Sequence, residues 1–208
     1  MKRLCRYIRG LGALAVLLWW GTGPALAQDQ ELPLGAPLPS AELTLTRPDG
    51  RAASLQSLLG SAGTVIVFWS NQCPWVDKYE DRLADLAATY GAAGFAFLVV
   101  NANDADAFPK EGADESQARA RDLGAAFTYL MDNGSALARA LGASRTPHVF
   151  VFDANRTLVY VGTIDDSPGD PGNVQKTYLK DVLDALQAGQ SVAVPKTKAF
   201  GCTIKLQS

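Results

Sequence analysis

Apolar residues fall along this chain in two rhythms. Val65-Ile66-Val67-Phe68-Trp69 is an unbroken run of β-branched and aromatic residues between Gly63 and Ser70. Such a run predicts a strand buried on both faces of a sheet. Directly after it, Trp75, Val76, Tyr79, Leu83, Leu86, Ala87 and Tyr90 recur at three- and four-residue intervals. That spacing gathers them on one side of a helix, which Gly91 is expected to end. Phe95 to Val100 returns to an unbroken apolar run and predicts a second buried strand.

The flanking segments are shorter and more polar. Residues 28–41 are rich in Pro, Gly and Leu without a period, and predict an extended leading arm. Leu43 to Leu55 holds two short runs around Pro48-Asp49-Gly50, and Asp-Gly between such runs signals a hairpin. Residues 103–114, with Pro109 and Gly112, predict a loop. Glu115 to Leu123 and Ser135 to Leu141 predict short helices, stopped by Gly124 and Gly142. Val149 to Phe152 and Leu158 to Val161 predict strands joined through Asp153-Ala154-Asn155-Arg156. Val174 to Leu186 predicts a final helix, and residues 189–208 an irregular tail. Strand, helix, strand and helix in alternation predict parallel pairing with a right-handed crossover, and the later hairpin adds antiparallel strands. The expected fold is α/β, a central mixed sheet flanked by helices on both faces.

The first 27 residues stand apart. Lys2, Arg3, Arg6 and Arg9 precede the apolar run Leu11 to Trp20, and Ala25-Leu26-Ala27 follows it. A basic head, an apolar stretch and small residues form the three-part pattern of a secretory signal peptide, with cleavage after Ala27. The apolar run is shorter than the ~20 residues a bilayer-spanning helix needs. No stable membrane span is therefore expected after cleavage, and no lipobox of small residues surrounds Cys5. The remaining chain, 28–208, is expected to form one domain and to be periplasmic or secreted. Without the four basic residues of the signal, 15 Lys and Arg face 21 Asp and Glu. An acidic surface of this kind gives nucleic acid no basic face. Two cysteines remain, Cys73 and Cys202. In an oxidising compartment such a pair is a structural bridge or a redox pair.

Cys73 follows the first buried strand by Ser70-Asn71-Gln72 and opens the long helix, with Pro74 next. Proline is favoured in the first helical turn. A thiol there meets unpaired backbone N–H groups and the positive end of the helix dipole, and both favour the reactive thiolate.

The segment Phe68-Trp69-Ser70-Asn71-Gln72-Cys73-Pro74-Trp75-Val76 resembles a thioredoxin active site in which Cys-x-x-Cys has become Cys-x-x-Val. Ser144-Arg145-Thr146-Pro147 before a strand resembles the cis-proline loop of that superfamily. Gly35-Ala36-Pro37 through Leu43, with Asp49-Gly50 to Leu58, resembles the start of redoxins of the AhpC/TSA type. Gly162 to Ser167 and Phe200-Gly201-Cys202-Thr203-Ile204-Lys205 resemble an exported redoxin subgroup with a Cys-Pro-aromatic-Val motif and one tail cysteine. The resemblance implies a thioredoxin-like fold with Cys73 as nucleophile. It further implies a cis Pro147 that presents the backbone of Thr146 to an incoming chain.

The departures shape the expected chemistry. Val76 cannot resolve a mixed disulfide, so Cys202 is the candidate resolving thiol. Val67 stands where thioredoxins carry a buried carboxylate. Ser70 fits the hydroxyl position of the peroxiredoxin motif, but Ile66 replaces its proline. Trp69 stands where copper chaperones of the Sco type carry their first cysteine, so neither a metal nor a cofactor is expected. His148, the only histidine, is a candidate base beside the thiolate or a plain strand residue. Asp165 and Asp166 are a paired-acid site or, as turn chemistry favours, braces of the turn before Ser167-Pro168-Gly169. Trp69 and Trp75 are expected to divide between core and rim, Trp75 serving partner binding. The expected activity is thiol–disulfide exchange with protein or small-molecule thiols and disulfides. The alternatives are a thiol peroxidase acting on peroxides and a non-catalytic binding module.

Overall fold

A computed structural model describes residues 30–39 and 41–207. The expected signal peptide and Cys5 lie outside the described residues. The chain order is β1 (Thr44–Thr46), β2 (Ala52–Ser54), β3 (Gly63–Trp69), α1 (Pro74–Gly91), β4 (Phe95–Asn101), α2 (Ala113–Leu123) and β5 (Thr128–Met131). There follow α3 (Ala136–Leu141), β6 (Arg145–Thr146), β7 (His148–Asp153), β8 (Leu158–Gly162), α4 (Tyr178–Gln187) and β9 (Cys202–Thr203).

Seven strands form one mixed sheet in the order β2-β1-β5-β4-β3-β7-β8. β3 pairs in parallel with β4, and β4 with β5, whereas β7 runs antiparallel to both β3 and β8. β3, buried along its whole length, lies inside the sheet between β4 and β7, as its unbroken apolar run predicts. Val65, Val67 and Trp69 face a core shared with Val76, Tyr79 and Leu83 of α1 and Leu179, Val182 and Leu183 of α4. Ile66 and Phe68 face the opposite core, with Leu137, Ala138 and Leu141 of α3. Helices therefore cover both faces, and the fold is thioredoxin-like.

Several boundaries differ from the sequence reading, each for a local reason. α1 runs through Gly91, and the chain reverses at Gly94 with φ +93°, a region favourable to glycine. The final helix begins at Tyr178 instead of Val174, because Pro171–Asn173 forms its own short turn and Val174 is extended. The four-residue strand β5 pairs beside β4 through contacts its own composition does not announce. The tail is not irregular throughout. Val161 N–H donates to the Pro195 carbonyl (3.1 Å), Thr197 N–H donates to the Val161 carbonyl (3.0 Å), and β9 pairs with β6.

Candidate functional site

Cys73 is the N-cap residue of α1, in extended conformation (φ −84°, ψ 114°), with Pro74 as the first helical residue. The strand-to-helix placement is as expected, but the thiol is only 2% exposed. Its Sγ lies 3.1 Å from the Thr146 carbonyl and 2.6 Å from Cys202 Sγ. The Thr146–Pro147 peptide bond is cis, as the resemblance implies. Cys202 sits opposite Thr146 in the antiparallel β6–β9 pair. Cys73, Cys202, Thr146 and Pro147, 129 residues apart at their extremes, thus form one cluster. Both cysteines are free. Their sulfur separation is longer than the ~2.05 Å of a covalent bridge.

The two thiols differ in acidity. Burial pushes the Cys73 thiol up, but hydrogen bonding from the side chain and backbone of Cys202 and from the Val76 backbone outweighs it and holds the thiol below its ordinary range. Burial pushes the Cys202 thiol up to about 11, and its bond to Cys73 adds to the rise. Cys73 is therefore the more acidic thiol of the two. Alkylation of Cys73 followed against pH should give a midpoint below the free-cysteine value of about 8.5. Cys202→Ala removes the main lowering partner, so its midpoint should move up. A Cys73 midpoint at or above the free value in the parent would contradict this arrangement.

The loop that holds Cys73 rests on a residue the sequence reading passed over. Glu111, buried at 3% exposure, lies in the segment read as a polar loop. Ser70 Oγ donates to its Oε1 (2.6 Å), and Asn71 N–H and Asn101 Nδ2 donate to its Oε2 (both 2.9 Å). Asn71 Nδ2 also donates to the Lys110 carbonyl (3.0 Å), and Tyr129 OH donates to Asn71 Oδ1 (2.7 Å). A buried carboxylate accepting this many bonds fixes the geometry of residues 70–72. No local signal distinguishes Glu111 from its solvated neighbours. The same contacts assign Ser70: its hydroxyl donates to Glu111 and accepts from Gln72 N–H (3.1 Å), leaving its proton directed away from Cys73.

His148 is corrected more sharply. Strand alternation sends it, with Phe150 (ring centroids 4.5 Å apart), to one face of the sheet, whereas Cys73 packs with Val149 and Val151 on the other. Its Nδ1 accepts the Ser144 N–H (3.3 Å), and its Nε2 lies 3.5 Å from Glu31. Burial pushes the imidazole down to about 4, so it is neutral at neutral pH and cannot serve the thiolate across the sheet.

The remaining candidates divide between core, rim and turn. Trp69 is fully buried, whereas Trp75 is half-buried and makes an edge contact with Phe200 of the tail (4.7 Å between centroids). Asp165 pairs with Arg82 and accepts the Ser167 N–H (2.9 Å); Asp166 accepts from Gln175 and Lys176 N–H (2.9 and 3.0 Å). Both are braces of the turn.

A model of the Redoxin family matches residues 33–178. No curated protein matches the chain. Among solved structures, a hypothetical protein from Sinorhizobium meliloti 1021 is 34% identical with a TM-score of 0.78, covering 87% of this chain and 98% of its own. An uncharacterized conserved protein from Geobacillus kaustophilus is likewise 34% identical at 0.78, covering 84% and 93%. A putative thiol:disulfide interchange protein DsbE from Chlorobium tepidum, 19% identical with a TM-score of 0.56 over 76% of this chain and 98% of its own, shares the fold.

Proposed function

The chain belongs to the redoxin family, and from that premise we propose that it is an exported thiol–disulfide oxidoreductase in which Cys73 and Cys202 are the redox pair. One observation carries this reading: a thiol at a helix start lies 2.6 Å from the second thiol, beside the cis Thr146–Pro147 bond. In the oxidising half-reaction the Cys73 thiolate attacks one sulfur of a disulfide RS–SR. The new Cys73–SR bond forms as the old S–S bond breaks, and RS⁻ leaves. RS⁻ takes the Cys202 proton. Cys202 then attacks Cys73 Sγ and expels the second RS⁻, which is protonated from solvent. The products are a Cys73–Cys202 disulfide and two RSH, and an external dithiol reverses the sequence. Pro147 and Thr146 shape the wall against which the sulfurs align.

Export completes the proposal, since a reversible bridge of this kind suits an oxidising compartment. The engagement of Ser70 with Glu111 favours disulfide exchange over peroxide reduction, because the hydroxyl of the peroxiredoxin motif is directed elsewhere.

The test is to treat the reduced, exported protein with oxidised glutathione or with hydrogen peroxide and to map its peptides by mass. The expected result is rapid glutathione-driven formation of the Cys73–Cys202 peptide pair, slower formation with peroxide, and a first residue of Gln28. Faster turnover with peroxide would transfer the reading to a thiol peroxidase. Absence of the bridge under both oxidants would leave a binding module.

A further inference from the structure

We propose that the tail around Cys202 is a built-in stand-in for a substrate chain, and that it makes Cys73 select low-molecular-weight disulfides over polypeptide ones. This rests on the reading of Cys73 as a disulfide-exchanging nucleophile and names its substrate class.

The edge beside Cys73 that an extended peptide could use is short, Arg145 and Thr146 of β6. In this structure β9 already fills it, in antiparallel register, with Cys202 opposite Thr146 and Thr203 opposite Arg145. Cys202 therefore occupies the place where a docked chain would bring its own cysteine. The approach is close. Gly201 has φ +146°, and a Cβ there would come within 2.0 Å of the Thr146 carbonyl oxygen. Only glycine permits the tail to lie this tightly on β6.

The strap is fastened on both sides of the thiol. Before it, Phe200 packs on Trp75 and Thr197 Oγ1 accepts the Thr163 N–H (3.0 Å). After it, Ile204 N–H donates to the Ser144 carbonyl (3.1 Å), and the Ile204 side chain is buried in the core beneath α3. Beyond that, Lys205 N–H donates to Asn103 Oδ1 (2.9 Å). None of these contacts involves either sulfur, so the exclusion does not await the bridge. A small disulfide needs only the room released when the half-buried Cys202 side chain turns aside. A polypeptide needs the whole of β9 removed, together with its anchors. The covalent step is the exchange already described, with RS–SR small.

The experiment uses Cys202→Ser as the parent, so that exchange stops at the mixed disulfide. Two tail-loosening changes are added separately: Gly201→Val, which collides with the Thr146 carbonyl, and Ile204→Glu, which removes an anchor without touching the β6–β9 pair. Each protein is reacted with a symmetrical aryl disulfide and with an extended peptide whose single cysteine carries the same aryl thiol. Release of that thiol reads both rates with one leaving group. The expected result is that each loosening change raises the peptide rate relative to the small-disulfide rate by at least about tenfold, equivalent to about 1.4 kcal/mol. Equal acceleration of both rates, or no change in their ratio, overturns the proposal while leaving Cys73 a nucleophile. Absence of reaction with either probe in any of the proteins overturns the nucleophile reading itself.

Discussion

Cys202→Ser is expected to stop catalytic turnover while leaving a single exchange at Cys73 intact. On the proposed roles, the resolving Cys202 sulfur stands 2.6 Å from the Cys73 sulfur it attacks. Well-oriented intramolecular groups reach effective molarities of about 10⁵ M or more, whereas an external thiol acts at about millimolar concentration, so the loss should be at least roughly a hundredfold. The measurement is a progress curve with a small disulfide in excess, run above the ordinary thiol range so that the altered acidity of Cys73 plays no part. The expected curve is one stoichiometric burst of released thiol followed by a near-flat line, with the adduct mapped by mass to Cys73. Cys73→Ser should abolish the burst as well. Undiminished turnover, or an adduct found on the residue 202 peptide when both cysteines are present, would contradict the assignment of roles.

The second large effect concerns stability and not chemistry. Arg82→Ala should lower the unfolding free energy by about 3 kcal/mol, at the lower end of the cost of removing one partner from a buried ion pair. The Asp165 side chain is 5% exposed and is paired with the Arg82 guanidinium. That guanidinium also donates to the Ser167, Lys78 and Pro168 carbonyls (3.1, 2.9 and 3.3 Å), and it lies 4.1 Å from the Tyr79 ring centroid. Without it, Asp165 keeps the Ser167 N–H and the Tyr79 hydroxyl as donors, which is why the lower end applies. Asp165→Asn should cost less, about 1–2 kcal/mol, because the remaining arginine is the more exposed partner (17%) and keeps its carbonyls. For a domain of this size 1 kcal/mol moves the melting temperature by about 2–4 °C, so Arg82→Ala should melt roughly 6–12 °C lower. Equal losses for the two variants would show that lost packing, not an unpaired charge, sets the cost.

The features readable in the sequence are those whose physics is local. β3 is readable because a five-residue β-branched and aromatic run has few alternatives, and α1 because seven apolar residues share one helical face. The thiol at their junction follows from the two together. What escaped depends on distant partners. β9 is two residues long and exists only because Arg145 and Thr146 offer an edge more than 50 positions earlier. Glu111 carries no mark of burial in its neighbours Lys110 and Gly112; its environment is made by Ser70, Asn71 and Asn101 from two other segments. His148 adjoins Pro147 in sequence, yet the alternation of β7 turns it to the far face, a consequence of register and not of proximity.

The tail has one more effect, on how molecules of this protein meet each other. β8 closes one side of the sheet, and an uncovered outer strand is a template on which a second molecule can add its own. Val161 of β8 gives its outward N–H to Pro195 and its carbonyl to Thr197. At Gly162 the tail lies so near that a Cβ would come within 2.0 Å of Thr197 Oγ1. The opposite margin, β2, is only three residues long and offers little to pair with. One segment thus lies over Cys73 and also covers a sheet edge on which a second molecule could pair. A lesion that detached it would produce protein that sticks to itself as well as protein with an unguarded thiol.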